Sequence, residues 1–502
     1  MKIVKKSAYE PEEHACVVIP VFKGMKLDEL WREFPGLEFP ARSRKFKGEI
    51  GEALACHSLE QQRLFLLVGG GRPGHPPDAR KLACKAMALL HENRVSKAMF
   101  YFTAPGPYPV EYLRNLADYL HLNNYRFDRY KKKKGRPVDR VQLAFKVPAE
   151  TVFKKRSALS GAELRTREVI LGEVERARDL VNEVPAKVTP DSMVESFRDS
   201  ARRHGLKLEV WRKKELEENA MNGLLAVGAS SCCEPALVIL SHAPKSFSRT
   251  VALVGKGITF DAGGLNLKPA SGMEEMKCDM AGAAVVLGAV NAAAQLGLPV
   301  RVLALAALAE NLPGRRAYKP GDIITYANKK TVEIANTDAE GRLILADALI
   351  MAARQKPDMI IELSTLTGAI VTALGDSYAG LMCRDRKLGA GLLRAADSCG
   401  ELLWELPLPV EYRESIVSKV ADLKNANYNG ASSVKAGLFL NEFTGKIPFA
   451  HLDIAGTAFL SKPNFCLAAE GATGFGVRLL VEFLQHLDSG LRRGTARRAP
   501  TE

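Results

Sequence analysis

The sequence predicts an α/β protein of two domains, each a mainly parallel or mixed sheet flanked by helices, joined by a linker helix. Three observations carry this. Short apolar segments alternate with amphipathic helical patterns over about the first 150 residues. A charged helical stretch at 161–181 interrupts the alternation, which then restarts with stronger strands and continues to near the end of the chain. The length of 502 residues independently asks for more than one domain.

Taken in order, residues 14–22 (HACVVIPVF), 63–69 (RLFLLVG), 97–102 (KAMFYF) and 141–147 (VQLAFKV) are short, apolar and β-rich, and are predicted as strands. Residues 77–93 and 109–123 space their apolar side chains three and four apart, the period of a helix with one buried face. No glycine-rich phosphate fingerprint and no acid/base cluster falls in this part. The run YKKKKGRP at 130–137 breaks the pattern, and the helix at 161–181 follows, ended by Pro185 and Pro190. The expected division is an N-terminal domain at 1–158, a linker helix at 159–183, a C-terminal α/β domain at 184–490 and a disordered basic tail at 491–502. In the C-terminal domain, 236–240, 250–255, 300–305, 359–363 and 450–454 read as strands, with helices at 281–296 and 343–354. The helix at 281–296 (AGAAVVLGAVNAAAQL) is so rich in small residues that it predicts very close packing on a sheet.

Hydrophobic residues make up 47% and charged residues 25%, the balance of a globular protein. No uncharged apolar run approaches the length of a membrane span. The first residues carry charge but no signal-peptide core behind them, so the expected location is cytoplasmic. Nine scattered cysteines without a C-x-x-C spacing exclude a disulfide framework and a zinc ribbon. Cys278 reads as a small buried filler. The net charge of +14 raises a second reading, a nucleic-acid-binding regulatory protein, motivated by Lys131–Lys134. Much of that charge is local, however, and charge runs are usually solvated surface.

The chemistry lies in three segments. VGKGITFDAGGLNLKP at 254–269 carries Lys256, Asp261 and Lys268 among glycines, after a strand expected to end at Gly255. Glycines there let backbone approach a ligand closely, but the P-loop spacing is absent, and Asp261 could be a turn residue as readily as a ligand. In MKCDMAG at 276–282, Asp279 stands just before the small-residue helix, where an N-cap is the ordinary reading. NTDAEGR at 336–342 changes the balance. Asp338 and Glu340 are two apart, which in extended backbone points both to one side. Buried without partners they would cost several kcal/mol each, and a metal site removes the difficulty. Asp261, Asp279, Asp338 and Glu340 form an oxygen-rich set for divalent cations, more than one catalytic ion normally takes, so two metals fit better. No histidine joins them. His451 reads as a hydrogen-bonded core residue, and a two-metal phosphoesterase lacks its usual histidine ligands.

These residues resemble the leucyl aminopeptidase (cytosol aminopeptidase) family. NTDAEGRL at 336–343 is similar to its signature, and VGKGITFD at 254–261, KCDMAGAA at 277–284, LSTLTGA at 363–369 and HLDIAGT at 451–457 resemble its further blocks in order and spacing. The likeness covers nearly all of 170–485, and more loosely the N-terminal part through NYRFDRYK at 124–131. It implies a metal-dependent aminopeptidase that releases Leu-like N-terminal residues from short peptides with a free N-terminus. Asp261 and Glu340 would bridge two metals, zinc or manganese with magnesium or cobalt as alternatives. Lys256 and Asp279 would complete one site and Asp338 the other. Lys268 would polarise the scissile carbonyl, and Arg342 would hold a bicarbonate that serves as base for the bridging water. Met276, Thr365 and Gly368 match positions lining the side-chain pocket, and Asn336 joins them as a substrate-binding candidate. A homohexamer is also implied, and no membrane partner. The sequence departs from the family at Ala262, where Ser is usual, in the turn NEVPAKVTP at 182–190, and in the loop at 461–470, which is longer than usual.

Overall fold

Apolar β-rich segments assemble first into a six-stranded sheet. In the computed structural model, residues 1–5, 16–25, 46–58, 63–103, 108–145, 160–427 and 429–487 are described. Strands β1 (Lys2–Lys5), β2 (Cys16–Phe22), β3 (Ala53–Ser58), β4 (Arg63–Gly71), β5 (Lys97–Phe102) and β6 (Arg140–Phe145) lie in the order β1-β6-β5-β2-β4-β3. All neighbours are parallel except β3 against β4. Strand β2 is buried along its whole length, as a central parallel strand covered on both faces must be. Helices Pro76–Glu92 and Val110–Leu122 pack against each other, and Pro76–Glu92 lies on β4. The two edge strands, β1 and β3, were not legible because short edges carry little apolar signal. Residues 14–15 and 146–147 of the expected strands, and the tail at 491–502, lie outside the described residues.

The chain divides into two units, Met1–Leu171 with Ser461–Glu470, and Gly172–Leu460 with Gly471–Glu502. The expected linker helix forms as Gly161–Asn182. Pro185 follows its end, but Pro190 opens a new helix, Pro190–His204, capped by the Thr189 hydroxyl. The long loop at 461–470 is tied into the first unit. Asn123 Nδ2 donates to the Cys466 carbonyl at 2.8 Å, and the Ala468 amide donates to Asn123 Oδ1 at 2.7 Å.

The second unit holds an eight-stranded mixed sheet. Its strands are β7 (Lys207–Trp211), β8 (Ala236–His242), β9 (Thr250–Asp261), β10 (Arg301–Asn311), β13 (Met359–Ser364), β14 (Ala379–Cys383), β15 (Leu403–Leu406) and β17 (Phe449–Asp453), in the order β15-β14-β17-β13-β9-β10-β8-β7. The centre, β17-β13-β9-β10, is parallel. Strands β11 (Ile323–Thr325), β12 (Thr331–Glu333) and β16 (Leu423–Lys424) make a small separate sheet. Helix Gly341–Arg354 packs its apolar residues into a core with Leu224, Val254, Leu305 and Ile360.

The small-residue helix forms as Ala281–Gln295 and is buried from Ala281 through Ala293. It meets the sheet backbone to backbone: a Cβ on Gly282 would lie 2.2 Å from the Leu363 carbonyl oxygen of β13. The helical segment Met273–Gln295 is apolar enough by composition to cross a membrane, but 89% of its most apolar window is buried inside the protein. It is a core element here.

One boundary differs from expectation in a way that bears on function. Strand β9 does not end at Gly255. Strand β10 pairs with it from Thr250 as far as Asp261, so ladder hydrogen bonds carry the extended backbone through Gly-Lys-Gly. Lys256 and Asp261 therefore sit on a rigid central strand.

Candidate active site

The carboxyl ends of parallel strands are where open α/β sheets bind ligands, and three segments converge there. Strand β9 supplies Lys256 and Asp261, and Lys268 follows in the loop beyond it. The 3-10 helix Met273–Met280 supplies Asp279. The turn before helix Gly341–Arg354 supplies Asp338 and Glu340. Ligand atoms of Asp261, Asp338 and Glu340 all lie within 4.8 Å of one another.

Each lysine sits between two carboxylates. Lys256 Nζ is 2.7 Å from Asp279 Oδ2 and 2.8 Å from Glu340 Oε1. Lys268 Nζ is 2.8 Å from Asp261 Oδ2 and 2.6 Å from Asp338 Oδ1. Lys256, Asp261, Asp279 and Glu340 are buried, while Asp338 and Lys268 are half-buried. Gly341 makes room for this: a Cβ there would stand 2.5 Å from Lys256 Cε.

Burial by itself would lower the pKa of both lysines. The carboxylates outweigh it, Asp279 and Glu340 for Lys256 and Asp261 and Glu340 for Lys268, and hold both ammonium groups above their ordinary value. The carboxylates are pushed the other way. Burial, and then neighbouring carboxylates against the lysines, raises Asp279, Asp338 and Glu340 above the usual range. Four carboxylates against two ammonium groups leave the cluster short of positive charge. That shortage, and the convergence of oxygen donors, is what a site for divalent cations requires.

Asp279 is not the helix cap that its position suggested. Met280 occupies that place, without a side-chain cap. The Asp279 carboxylate instead turns toward Lys256 and accepts from Thr365 Oγ1 at 2.7 Å. The long-range partner wins because an ion pair between buried groups outweighs one exposed-type cap.

The remaining candidates fall around this centre. A cavity of about 270 Å³ is lined by Asn336, Asp338, Arg342 and Gly368, together with Leu366, Ala369, Ile416 and residues 425–427. Arg342 donates from one terminal nitrogen to the Asn425 carbonyl at 2.7 Å, and among the described residues its Nε has no hydrogen-bond partner. Met276 is half-buried on the turn that carries Asp279 and does not line the cavity, nor does Thr365. His451 is fully buried and hydrogen-bonded through Nδ1 to Glu362, its cross-strand neighbour. Lys131–Lys134 form an exposed turn in the first unit. Cys278 is buried, and burial raises its thiol to about 12, far from a reactive thiolate.

Several positioning residues were not legible in the sequence. Asn311, at the end of β10, donates to Asp261 Oδ1 at 2.8 Å and to the Thr337 carbonyl at 3.0 Å. Tyr318 donates to that carbonyl at 2.6 Å. Asn425 holds the turn from the other side, accepting from the Ala335 amide at 2.8 Å and donating to the Asn336 carbonyl at 2.6 Å.

Comparison with known proteins bears on the same segments. Residues 175–481 match the catalytic-domain model of the cytosol aminopeptidase family, and residues 37–134 match its N-terminal-domain model. A probable cytosol aminopeptidase of Geobacter sp. (strain M21) is 40% identical over 498 residues, covering 96% of this chain and 99% of the relative. Another, of Chlorobaculum tepidum, is 46% identical over 387 residues, 75% of this chain and 76% of the relative. The solved bottromycin maturation enzyme BotP in complex with Mn is similar in fold, with a TM-score of 0.82 and 32% identity, covering 94% of this chain and 99% of that one. The likeness runs through every strand and turn that builds the carboxylate–lysine centre, and on that ground the chain belongs to the cytosol aminopeptidase family, a family of metal-dependent aminopeptidases.

Proposed function

We propose that this protein releases N-terminal residues, preferably Leu-like ones, from short peptides, with two divalent metals, zinc or manganese, held by Lys256, Asp261, Asp279, Asp338 and Glu340. The observation that carries this is the shell of four carboxylates, three of them clustered and Asp279 joined through Lys256, short of positive charge and beside a cavity of about 270 Å³. Asp261 and Glu340 would serve both sites, with Lys256 and Asp279 completing one and Asp338 the other. When bound, a pair of such cations acidifies a water held between them and anchors the peptide's free amine.

The protein's own groups do the rest. Lys256 would have to release its proton to solvent to become a ligand, and a cation bound at Asp279 and Glu340 would favour this by neutralising the carboxylate charge that now holds the ammonium. Lys268, in contrast, stays charged and half-exposed, placed to stabilise the oxyanion that forms on the scissile carbonyl. Arg342, which lines the cavity, would hold a bicarbonate that accepts the proton of the attacking water. Leu366, Ala369 and Ile416 give the cavity apolar walls, and Asn336 and Gly368 line it without charge; Met276 and Thr365, outside that cavity, are the further substrate-binding residues of this reading. Residues 184–490 act as the catalytic domain, and the assembly is a cytoplasmic homohexamer.

The test uses the metal-loaded full chain. Leu-amide is cleaved, N-acetyl-Leu-amide is not, and a chelator abolishes cleavage until metal is restored. Cleavage of the acetylated substrate with no cleavage of the free amine sinks the proposal. A finer result is expected for Lys268→Met. Its kcat falls by about 10²–10³-fold, the usual loss on removing one oxyanion donor, while two metals per chain are retained. Metal analysis of the purified variant beside its kinetics checks this.

A further inference from the structure

We propose that Lys435 is a specificity residue that reads a carboxylate of the peptide, so that the enzyme favours substrates bringing a negative charge into the 270 Å³ cavity. This rests on the aminopeptidase reading above. Lys435 lines the cavity together with Asn427 and Ser432, yet is only 5% exposed. Among the described residues its ammonium makes a single hydrogen bond, donating to the Asn429 carbonyl at 3.0 Å. Among the described residues no carboxylate lies within ion-pairing distance of it. An ammonium has three donors, so two are left for whatever enters the cavity.

The placement is costly without a counter-anion. Lys435 lies in the first turn of helix Ser432–Asn441, its amide bonded to the Ala431 carbonyl at 3.0 Å. The positive end of the helix dipole disfavours a cation there. No side chain caps that helix: Ala431, at the cap position, has φ of 50° and supplies no acceptor. Burial, and then the nearby Lys424, lower the Lys435 pKa. Every one of these terms turns favourable when an anion arrives, since a carboxylate would meet an ammonium, the free amides of a helix N-terminus and a low-dielectric wall at once. The protein offers no such anion itself. The one acidic residue lining the cavity, Asp338, is already paired with Lys268. Nor does Arg342 serve the role, because it belongs to the reacting centre.

A peptide can bring its carboxylate from three sources, and three substrate pairs separate them. Leu-Glu-amide against Leu-Gln-amide tests the second side chain. Glu-Leu-amide against Gln-Leu-amide tests the first. Leu-Gly against Leu-Gly-amide tests the terminal carboxylate of a dipeptide. In the wild-type enzyme, at least one charged partner is expected to win by about tenfold in kcat/KM, mainly through KM, as one desolvated charge-assisted hydrogen bond provides. Lys435→Met brings that ratio to within about twofold of one, and Lys435→Arg restores most of it. Wild-type ratios near one for all three pairs overturn the inference while leaving aminopeptidase activity standing. So does a preference that survives in Lys435→Met. Failure to cleave any of the six peptides overturns the aminopeptidase reading and this inference with it.

Discussion

Replacing Glu340 with Gln is expected to lower kcat/KM by about 10³-fold or more and to leave fewer than two metals per chain. Side chains one shell further from a metal already cost about 10- to 100-fold when removed, and Glu340 stands in the middle of the cluster. It contacts Lys256 at 2.8 Å, and one of its oxygens lies within 4.8 Å of ligand atoms from both Asp261 and Asp338. A neutral amide keeps the size of the carboxylate but removes the charge shared between the two proposed sites. The fold should tolerate it, because Lys256 retains Asp279 at 2.7 Å and is not left as an orphaned buried cation. Metal analysis, peptide kinetics and a thermal melt on the same preparation give the three readings. Two metals per chain in Glu340→Gln would remove it from the ligand set. Asp279→Asn is the companion variant, and it should lose one metal while weakening the Thr365 contact at 2.7 Å.

The second large effect falls on stability. Gly282→Ala adds a single methyl group where no volume exists: 2.2 Å from the Leu363 carbonyl oxygen and 2.8 Å from the Lys256 amide nitrogen. Both obstacles are backbone, in central strands, so no side chain can rotate away. Relief requires helix Ala281–Gln295 to lift from the sheet, which loosens the contact beneath Lys256 and Asp279 together. Overpacking of this kind costs about 1–3 kcal/mol and occasionally more, or several degrees in the unfolding temperature. Thermal inactivation of the second unit measures it. Gly288→Ala in the same helix is the control, since its nearest obstacle is a Val477 methyl at 3.2 Å. Equal melting of the two variants would show that the Gly282 contact does not limit packing.

The elements that were legible are those whose signal is local. Strand β2 and the helix at 281–295 could be recognised because burial on all sides leaves a continuous apolar or small-residue run. The six residues of the centre were legible as chemistry because carboxylates and lysines beside glycines make poor packing material. Edge strands β1 and β3 were missed for the opposite reason. Asn311, Tyr318 and Asn425 carry no local mark, since each is an ordinary polar residue until the fold puts a carboxylate or a turn within its reach.

By itself, the sequence determined the alternation of strand and helix, the need for close packing at 281–296, and the carboxylates and lysines available for metal chemistry. Each of these follows from side-chain type and period, which act over a few residues. Only the tertiary structure decided that β9 runs on to Asp261, because β10 supplies the hydrogen bonds from 50 residues away along the chain. It also turned Asp279 from a helix cap to Lys256, paired Lys268 with Asp261 and Asp338, and buried Lys435 at the cavity with no counter-charge among the described residues. Electrostatic partners are chosen by distance in space, and distance in space between remote segments is set by sheet pairing rather than by any pattern within either segment.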